Sequence, residues 1–182
     1  MAEDGGLLVL GLGNLLCGDD GAGVAAVELL RERFQPPADA SVLDGGTLGL
    51  SLLPYVEDAR DAILVDAIRA DAPPGSPVRL EGRDVPLAAM ERLSVHQVGV
   101  ADLLGGAHLV GRLPQRLLLL GVVPETIELR FGCSASVEAA LPDLVERIVA
   151  EAEAWGYRFV PKAGHGETGP RSDCARAVHA GV

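Results

Sequence analysis

Acidic residues follow three of the strands that the sequence predicts, and such residues could together bind a metal ion. Asp19 and Asp20 come after the first apolar run, Asp44 closes the second, and Asp66 directly follows the third. Because ligands of open parallel sheets bind at the carboxyl ends of the strands, we expect these acids to converge at one edge. With His96, from a loop before a helix, they would make an oxygen and nitrogen site for Ni²⁺, Zn²⁺ or a similar divalent ion.

Each of these residues also has an ordinary structural explanation. Asp19 or Asp20 could cap the helix that follows, and one could do so while the other stays available. Asp44 precedes two glycines and could simply form a turn. Asp66 is harder to explain in this way, because an acid directly after Ile-Leu-Val would be poorly solvated unless it lined a cleft. A single histidine such as His96 is often structural.

Other kinds of site fit the sequence less well. The segment GLGN begins like a dinucleotide fingerprint, but Leu16 stands where GxGxxG requires glycine, and no P-loop, HExxH or GxSxG pattern occurs. Cys17 lies close to a predicted helix start, where the pKa of a thiol falls, and could pair with His96. A cysteine hydrolase using these two residues is therefore one alternative.

Alternating strands and helices must position these side chains. Short apolar runs predict strands at Leu7–Leu10, Ser41–Leu43, Ile63–Val65 and Leu117–Val123, and Pro77–Gly82 predicts an exposed, antiparallel edge strand. Helical spacing predicts helices at Asp20–Phe34, Leu48–Val56, after His96, and at Ser136–Trp155 with Ser136 as N-cap. The order predicts an α/β fold, a single-domain three-layer sandwich whose twisted, mostly parallel sheet of about five strands has helices on both faces.

Composition sets the limits of this domain and excludes several classes of function. We assign residues 1–160 to the domain and expect residues 161–182, which lack an apolar period, to be a mobile tail. The chain of 182 residues carries a net charge of −11, which argues against nucleic acid and anionic membranes as partners. Three dispersed cysteines, no basic signal segment and no apolar run of ~20 residues predict a cytoplasmic protein outside the membrane.

Beyond these general features, the segment GLGNLLCGDDGAGV resembles the opening motif of the hydrogenase maturation proteases. These endopeptidases trim the large subunit of nickel–iron hydrogenases. Four further similar motifs follow in the same order: DGGTLG (Asp44–Gly49), ILVDAI (Ile63–Ile68), SVHQVGVADLL (Ser94–Leu104) and LLGVVPETIEL (Leu119–Leu129). The resemblance spans roughly residues 7–155 and leaves only the tail outside.

The resemblance implies a twisted mixed sheet between helices and a specific set of site residues. By motif position the family's catalytic metal ligands fall on Asp20, Asp66 and His96, and some members carry Glu where Asp20 stands. The family's DGG loop corresponds to Asp44, Gly45 and Gly46, and it lies beside the cleft and is associated with substrate choice.

The implied reaction is removal of a C-terminal extension from a nickel-loaded large-subunit precursor of a nickel–iron hydrogenase. The resemblance leaves open whether the divalent metal at the site activates water or only recognises and positions the substrate. Asp19, Asp44 or a ligand carboxylate would serve as general base. A second alternative is a non-catalytic, nickel-binding escort of the large subunit. With a much larger partner and no coiled-coil pattern, we expect a monomer.

Overall fold

A five-stranded sheet forms the centre of the protein, in a computed structural model that describes residues 5–82, 85 and 98–163. The strands in chain order are β1 (Leu7–Leu12), β3 (Ala40–Gly46), β4 (Asp61–Ala67), β5 (Pro77–Glu81) and β6 (Arg116–Val122). They lie side by side in the order β3-β1-β4-β6-β5, and all neighbours are parallel except β5, which runs antiparallel at the edge. Both the mostly parallel sheet and the antiparallel edge strand are confirmed.

Helices cover both faces of this sheet. The helices are α1 (Ala22–Arg33), α2 (Leu53–Asp58), α3 (Val98–Leu109) and α4 (Ala135–Ala154), with single 3₁₀ turns at Gly18–Gly21 and Gly49–Leu52. Buried residues of α1 and α4 pack on one face with Val9, Ile63 and Leu118, whereas α2 and α3 pack on the other with Leu8 and Leu64. Adjacent strand residues thus enter opposite cores, which explains why the strands are apolar throughout. In the described part of the chain, no helix is long and apolar enough to cross a membrane.

Two helices begin at positions other than those that the sequence predicts. The first begins at Ala22 after a 3₁₀ turn, and its N-cap is Gly21, so neither Asp19 nor Asp20 caps it. Helix α4 begins at Ala135, and the Ser134 hydroxyl accepts the capping hydrogen bond from the Val137 amide. The predicted cap at Ser136 was therefore wrong.

The chain end that the structure describes is attached to the domain by a short ribbon. Strand β7 (Val160–Pro161) pairs antiparallel with β2 (Phe34–Gln35), and the Lys162 amide donates to the Arg33 carbonyl at 2.8 Å. The predicted boundary at residue 160 falls within this ribbon. Residues 164–182 of the predicted tail lie outside the described residues.

Asp19 connects the turn before α1 to two segments that are distant in sequence. Its fully buried carboxylate accepts hydrogen bonds from the amides of Glu125 (2.7 Å), Thr126 (3.1 Å) and Ser134 (2.5 Å), and from the Ser134 hydroxyl (2.9 Å). The Asp19 amide in turn donates to the Thr126 carbonyl at 3.0 Å. These bonds fix the turn that carries Asp20 against the loop after β6 and the start of α4.

A second buried acid, Asp61, lies at the opposite edge of the sheet, where β4 begins. It accepts two hydrogen bonds from the Arg116 guanidinium (2.6 and 2.5 Å), one from the Tyr157 hydroxyl (2.7 Å) and one from Arg60 (3.1 Å). Burial by itself raises the pKa of Asp61, but the hydrogen bonds from these three side chains outweigh it and lower the pKa to about 2. The carboxylate is therefore ionised in the folded protein at neutral pH.

The substitution Asp19→Asn tests whether the Asp19 carboxylate stabilises this arrangement. The side chain of asparagine has one NH₂ group where aspartate has an oxygen. This group cannot accept a hydrogen bond, so at least one of the buried N–H or O–H donors would lose its acceptor. We expect the free energy of unfolding to fall by about 2–3 kcal/mol in urea denaturation. The same substitution at the exposed Asp102 is the matched control. Equal stability of the two variants would contradict this role for Asp19.

The lowered pKa of Asp61 predicts how stability depends on pH. A carboxyl group whose folded pKa lies below its unfolded value stabilises the protein above the unfolded pKa, and this contribution is lost as the pH falls through the folded pKa. Between pH 4 and pH 2 we expect a loss of about 2 kcal/mol that Asp61→Asn lacks. Thermal unfolding of both proteins across this range measures it, and parallel curves would contradict it.

Candidate active site

Asp20 and Asp66 line one small cavity at the carboxyl edge of the sheet. The cavity has a volume of about 90 Å³, and both side chains are buried. Asp20 reaches it from the turn between β1 and α1, and Asp66 from the end of β4, which is the neighbour of β1. The other described residues around the cavity are Leu12, Gly13, Gly46, Thr47, Gly49, Leu52, Val100 and Leu103. The structure therefore brings together two of the three predicted metal ligands.

Glycines allow the turn that carries Asp20 to lie close to the strand ends. Gly13 has φ +117°, and a Cβ there would lie 1.7 Å from the Asp20 carbonyl oxygen. At the start of α1, a Cβ on Gly23 would lie 2.1 Å from the carbonyl oxygen of Val65. Only glycine permits both approaches. The GLGN and GAG segments thus place the Asp20 side chain beside Asp66.

Backbone amides orient both carboxylates. The Asn14 amide donates to Asp20 Oδ2 at 2.9 Å, and the Ala67 amide donates to Asp66 Oδ1 at 2.7 Å. Asn14 was not singled out in the sequence, yet it also accepts from the Leu16 amide at 3.0 Å and donates to Cys17 Sγ at 3.3 Å. The available signal was an asparagine in a glycine-rich turn, where its side chain often bonds nearby backbone.

The donor set of the cavity fits a divalent cation. Two buried carboxylates around one small space repel each other when both are ionised, and a cation between them would relieve that repulsion. Among the described residues there is no group of three or more His, Cys, Asp or Glu side chains that could hold a metal. His96, the third predicted ligand, lies outside the described residues. The metal and its ligand set remain predictions.

The three residues of the DGG loop, which the resemblance associates with substrate choice, have different surroundings. Gly46 lines the cavity and has φ +45°, whereas Gly45 is buried and a Cβ there would lie 2.8 Å from Leu10 Cδ1. Asp44 is exposed, and its Oδ1 accepts from the Gly46 amide at 2.9 Å. The Asp44 side chain therefore binds the backbone two residues further on at the end of β3, and of these three residues only Gly46 lines the cavity of Asp20 and Asp66.

Two other features near this edge stay separate from the cavity. The Cys17 side chain is half-buried and is not among the residues that line the cavity. A larger depression of about 420 Å³ is lined by Arg69, Ala70, Ala72, Pro74 and residues 123–127, and it shares no lining residue with the site of Asp20 and Asp66. Neither feature contains a predicted metal ligand.

The sequence of the chain is similar to those of proteins from one known family. The family model described as "Hydrogenase maturation protease" matches residues 24–151. The "Hydrogenase 2 maturation protease" of Escherichia coli (strain K12) is 36% identical over 157 residues, which cover 86% of this chain and 96% of that protein. The "Hydrogenase expression/formation protein HupD" of Rhodobacter capsulatus is 38% identical, covering 86% of this chain and 76% of the relative.

Solved structures agree with this relationship. The hydrogenase maturating endopeptidase HybD from E. coli superposes with a TM-score of 0.82 at 35% identity, covering 86% of this chain and 98% of that one. A [NiFe] hydrogenase maturation protease HybD from Thermococcus kodakarensis gives a TM-score of 0.65 at 28% identity, with coverages of 81% and 99%. The five sequence motifs, the observed fold and these matches all indicate the same family. The chain belongs to the hydrogenase maturation protease family.

Proposed function

We propose that this protein is an endopeptidase that removes the C-terminal extension of the nickel-loaded large-subunit precursor of a nickel–iron hydrogenase. The observation that carries this proposal is the pair of buried carboxylates, Asp20 and Asp66, around one cavity beside the Gly46 backbone. Family membership supports a peptidase role in hydrogenase maturation. We expect the reaction to take place in the cytoplasm and the enzyme to act as a monomer.

The chemistry of the site follows from the donors that this chain offers. Asp20, Asp66 and His96 would hold a divalent ion, while the nickel of the precursor belongs to the substrate. A bound divalent ion can polarise the scissile carbonyl and lower the pKa of a water molecule, or it can serve recognition alone. In either case the Asn14 and Ala67 amides hold the two carboxylates in place before substrate arrives.

The position of Asp19 narrows the choice of a general base. Its carboxylate accepts four hydrogen bonds, and it does not line the cavity. A base must reach the proton that it removes, directly or through one water. By the same criterion Asp44, which does not line the cavity either, is the poorer choice, and one of the ligand carboxylates, Asp20 or Asp66, is the better candidate.

The substitution Asp20→Asn tests the site directly. It keeps an oxygen that can accept from the Asn14 amide but removes the charge that a metal needs. Incubation of a nickel-loaded precursor with the wild-type protein should give one mass loss equal to the C-terminal extension. We expect Asp20→Asn and Asp66→Asn to slow this cleavage more than about 100-fold, since even partners outside the first set of ligands cost 10–100-fold.

Cys17→Ala is the control, and it separates this proposal from its alternatives. We expect this variant to cleave at the wild-type rate, and its inactivity would favour a cysteine hydrolase. Cleavage by Asp20→Asn at the wild-type rate would keep the protease and reject Asp20 as a ligand. Stable co-purification with the precursor and no mass loss would support a nickel-binding escort instead.

The exposed carboxylate of Asp44 allows a separate test of substrate recognition. Asp44→Ala removes the acceptor of the Gly46 amide, whereas Asp44→Asn keeps an acceptor and removes only the charge. If the charge contacts the precursor, both variants should raise KM several-fold, with kcat and Tm close to wild type. A wild-type KM for Asp44→Asn would show that the precursor does not use this charge.

A further inference from the structure

Asn14 makes hydrogen bonds with both its side chain and its backbone inside the turn that leads from β1 to Asp20. Its Oδ1 accepts from the Leu16 amide at 3.0 Å, and its Nδ2 donates to Cys17 Sγ at 3.3 Å. Its carbonyl accepts from the Cys17 amide at 2.9 Å, which closes a β-turn. Its own amide donates to Asp20 Oδ2 at 2.9 Å. The same residue therefore shapes the turn and binds the candidate metal ligand that follows it.

The direction of the Asp20 carboxylate depends on the Asn14 amide. In the part of the chain that the structure describes, this amide supplies the one hydrogen bond that the Asp20 carboxylate accepts, although only 2% of Asp20 is exposed. The carboxylate of the neighbouring Asp19 accepts four hydrogen bonds. Asp19 thus fixes the backbone of the turn, whereas Asn14 fixes the direction of the Asp20 side chain.

The side chain of Asn14 in turn restricts the direction of its amide. Gly13, which precedes it, has φ +117°, and a glycine by itself leaves the chain free to adopt many conformations. An asparagine oxygen that accepts from the amide two residues further on forms an Asx turn, which restricts the backbone dihedral angles of the asparagine. The bond to Cys17 contributes less, because sulfur is a weak acceptor. Alanine at this position would keep the amide and lose the group that orients it.

We propose that Asn14 is a positioning residue for a divalent cation bound between Asp20 and Asp66. Its side chain sets the direction of its amide, and the amide holds the Asp20 carboxylate in the direction that the cation requires. The inference rests on the proposed function in one respect, the cation in the cavity, and needs no particular protein substrate. Asn14 does not line the cavity and acts through Asp20.

Asn14→Ala and Asn14→Ser are the test, with Ni²⁺ alone as the probe. Alanine removes the acceptor of the Leu16 amide, whereas a serine hydroxyl can accept from the amide two residues further on and adds no charge. Isothermal titration calorimetry at neutral pH measures the Kd, and Asp20→Asn shows how much Ni²⁺ binds outside the site. We expect Asn14→Ala to raise the Kd about 10- to 100-fold, as loss of a group that orients a metal ligand does, and Asn14→Ser to recover most of this loss.

Asp61→Asn is the control for lost stability. Asp61 pairs with Arg60 and Arg116 at the opposite edge of the sheet, and it does not line the cavity. A residue that acted only on the fold would lower Tm without changing the Kd for Ni²⁺, as we expect for Asp61→Asn. The positioning role requires the Kd of Asn14→Ala to rise at a temperature at which circular dichroism shows the variant to be folded.

The possible outcomes separate the role of Asn14 from the proposed function. If the wild type binds Ni²⁺ at the site and Asn14→Ala has the same Kd, the positioning role is rejected and the cation site remains. Equally weak binding by Asn14→Ser and Asn14→Ala would also overturn the proposal, because the acceptor of the Leu16 amide would then not matter. If the wild type binds no Ni²⁺, the inference fails with the cation site, while the mass loss of the precursor still decides whether the protein is a protease.

Discussion

The buried carboxylate of Asp19 is the interaction on which the geometry of the candidate site depends. It binds the backbone of Glu125, Thr126 and Ser134, and so joins the turn after β1, the loop after β6 and the start of α4. Single backbone hydrogen bonds also join the turn to the loop, since the Gly18 amide donates to the Arg130 carbonyl and the Asp19 amide to the Thr126 carbonyl. Because a buried carboxylate needs donors and buried amides need acceptors, the arrangement satisfies both. Asp20, the next residue, is consequently held at one position in the cavity.

The sequence predicted the architecture well because strands that are buried on both faces of a sheet are apolar along their whole length. Continuous apolar runs and helical spacing identified every long element that the structure describes, and the alternation of Pro77–Glu81 identified the antiparallel edge. Local rules failed where a polar side chain had a better partner far away. Asp19 was considered as a helix cap, but its carboxylate binds Ser134, 115 residues away. That pairing exists only once the sheet has formed, so no local pattern contains it.

The candidate site could be predicted in part for the same reason. Parallel strands end at a common edge, so the positions of Asp20 and Asp66 after neighbouring strands predicted that they would meet. The DGG segment was less predictable, because a one-residue step turns the chain from the core at Gly45 to the cavity at Gly46. Asn14 was missed because its role depends on the backbone of the turn. His96 lies outside the described residues, and its place in the site stays a prediction.

Strand β4 contains two fully buried acids, Asp61 and Asp66, and the groups around them differ. Asp61 begins the strand and is compensated by Arg116, Arg60 and Tyr157, which lower its pKa to about 2. Asp66, five residues later, faces a cavity shared with a second carboxylate, Asp20. Pairing with arginine satisfies an acid that only supports the fold, whereas two acids placed around one space gain from a cation that can arrive and leave. The same residue type therefore supports the fold at one edge of the sheet, and we propose that at the other edge it binds a cation.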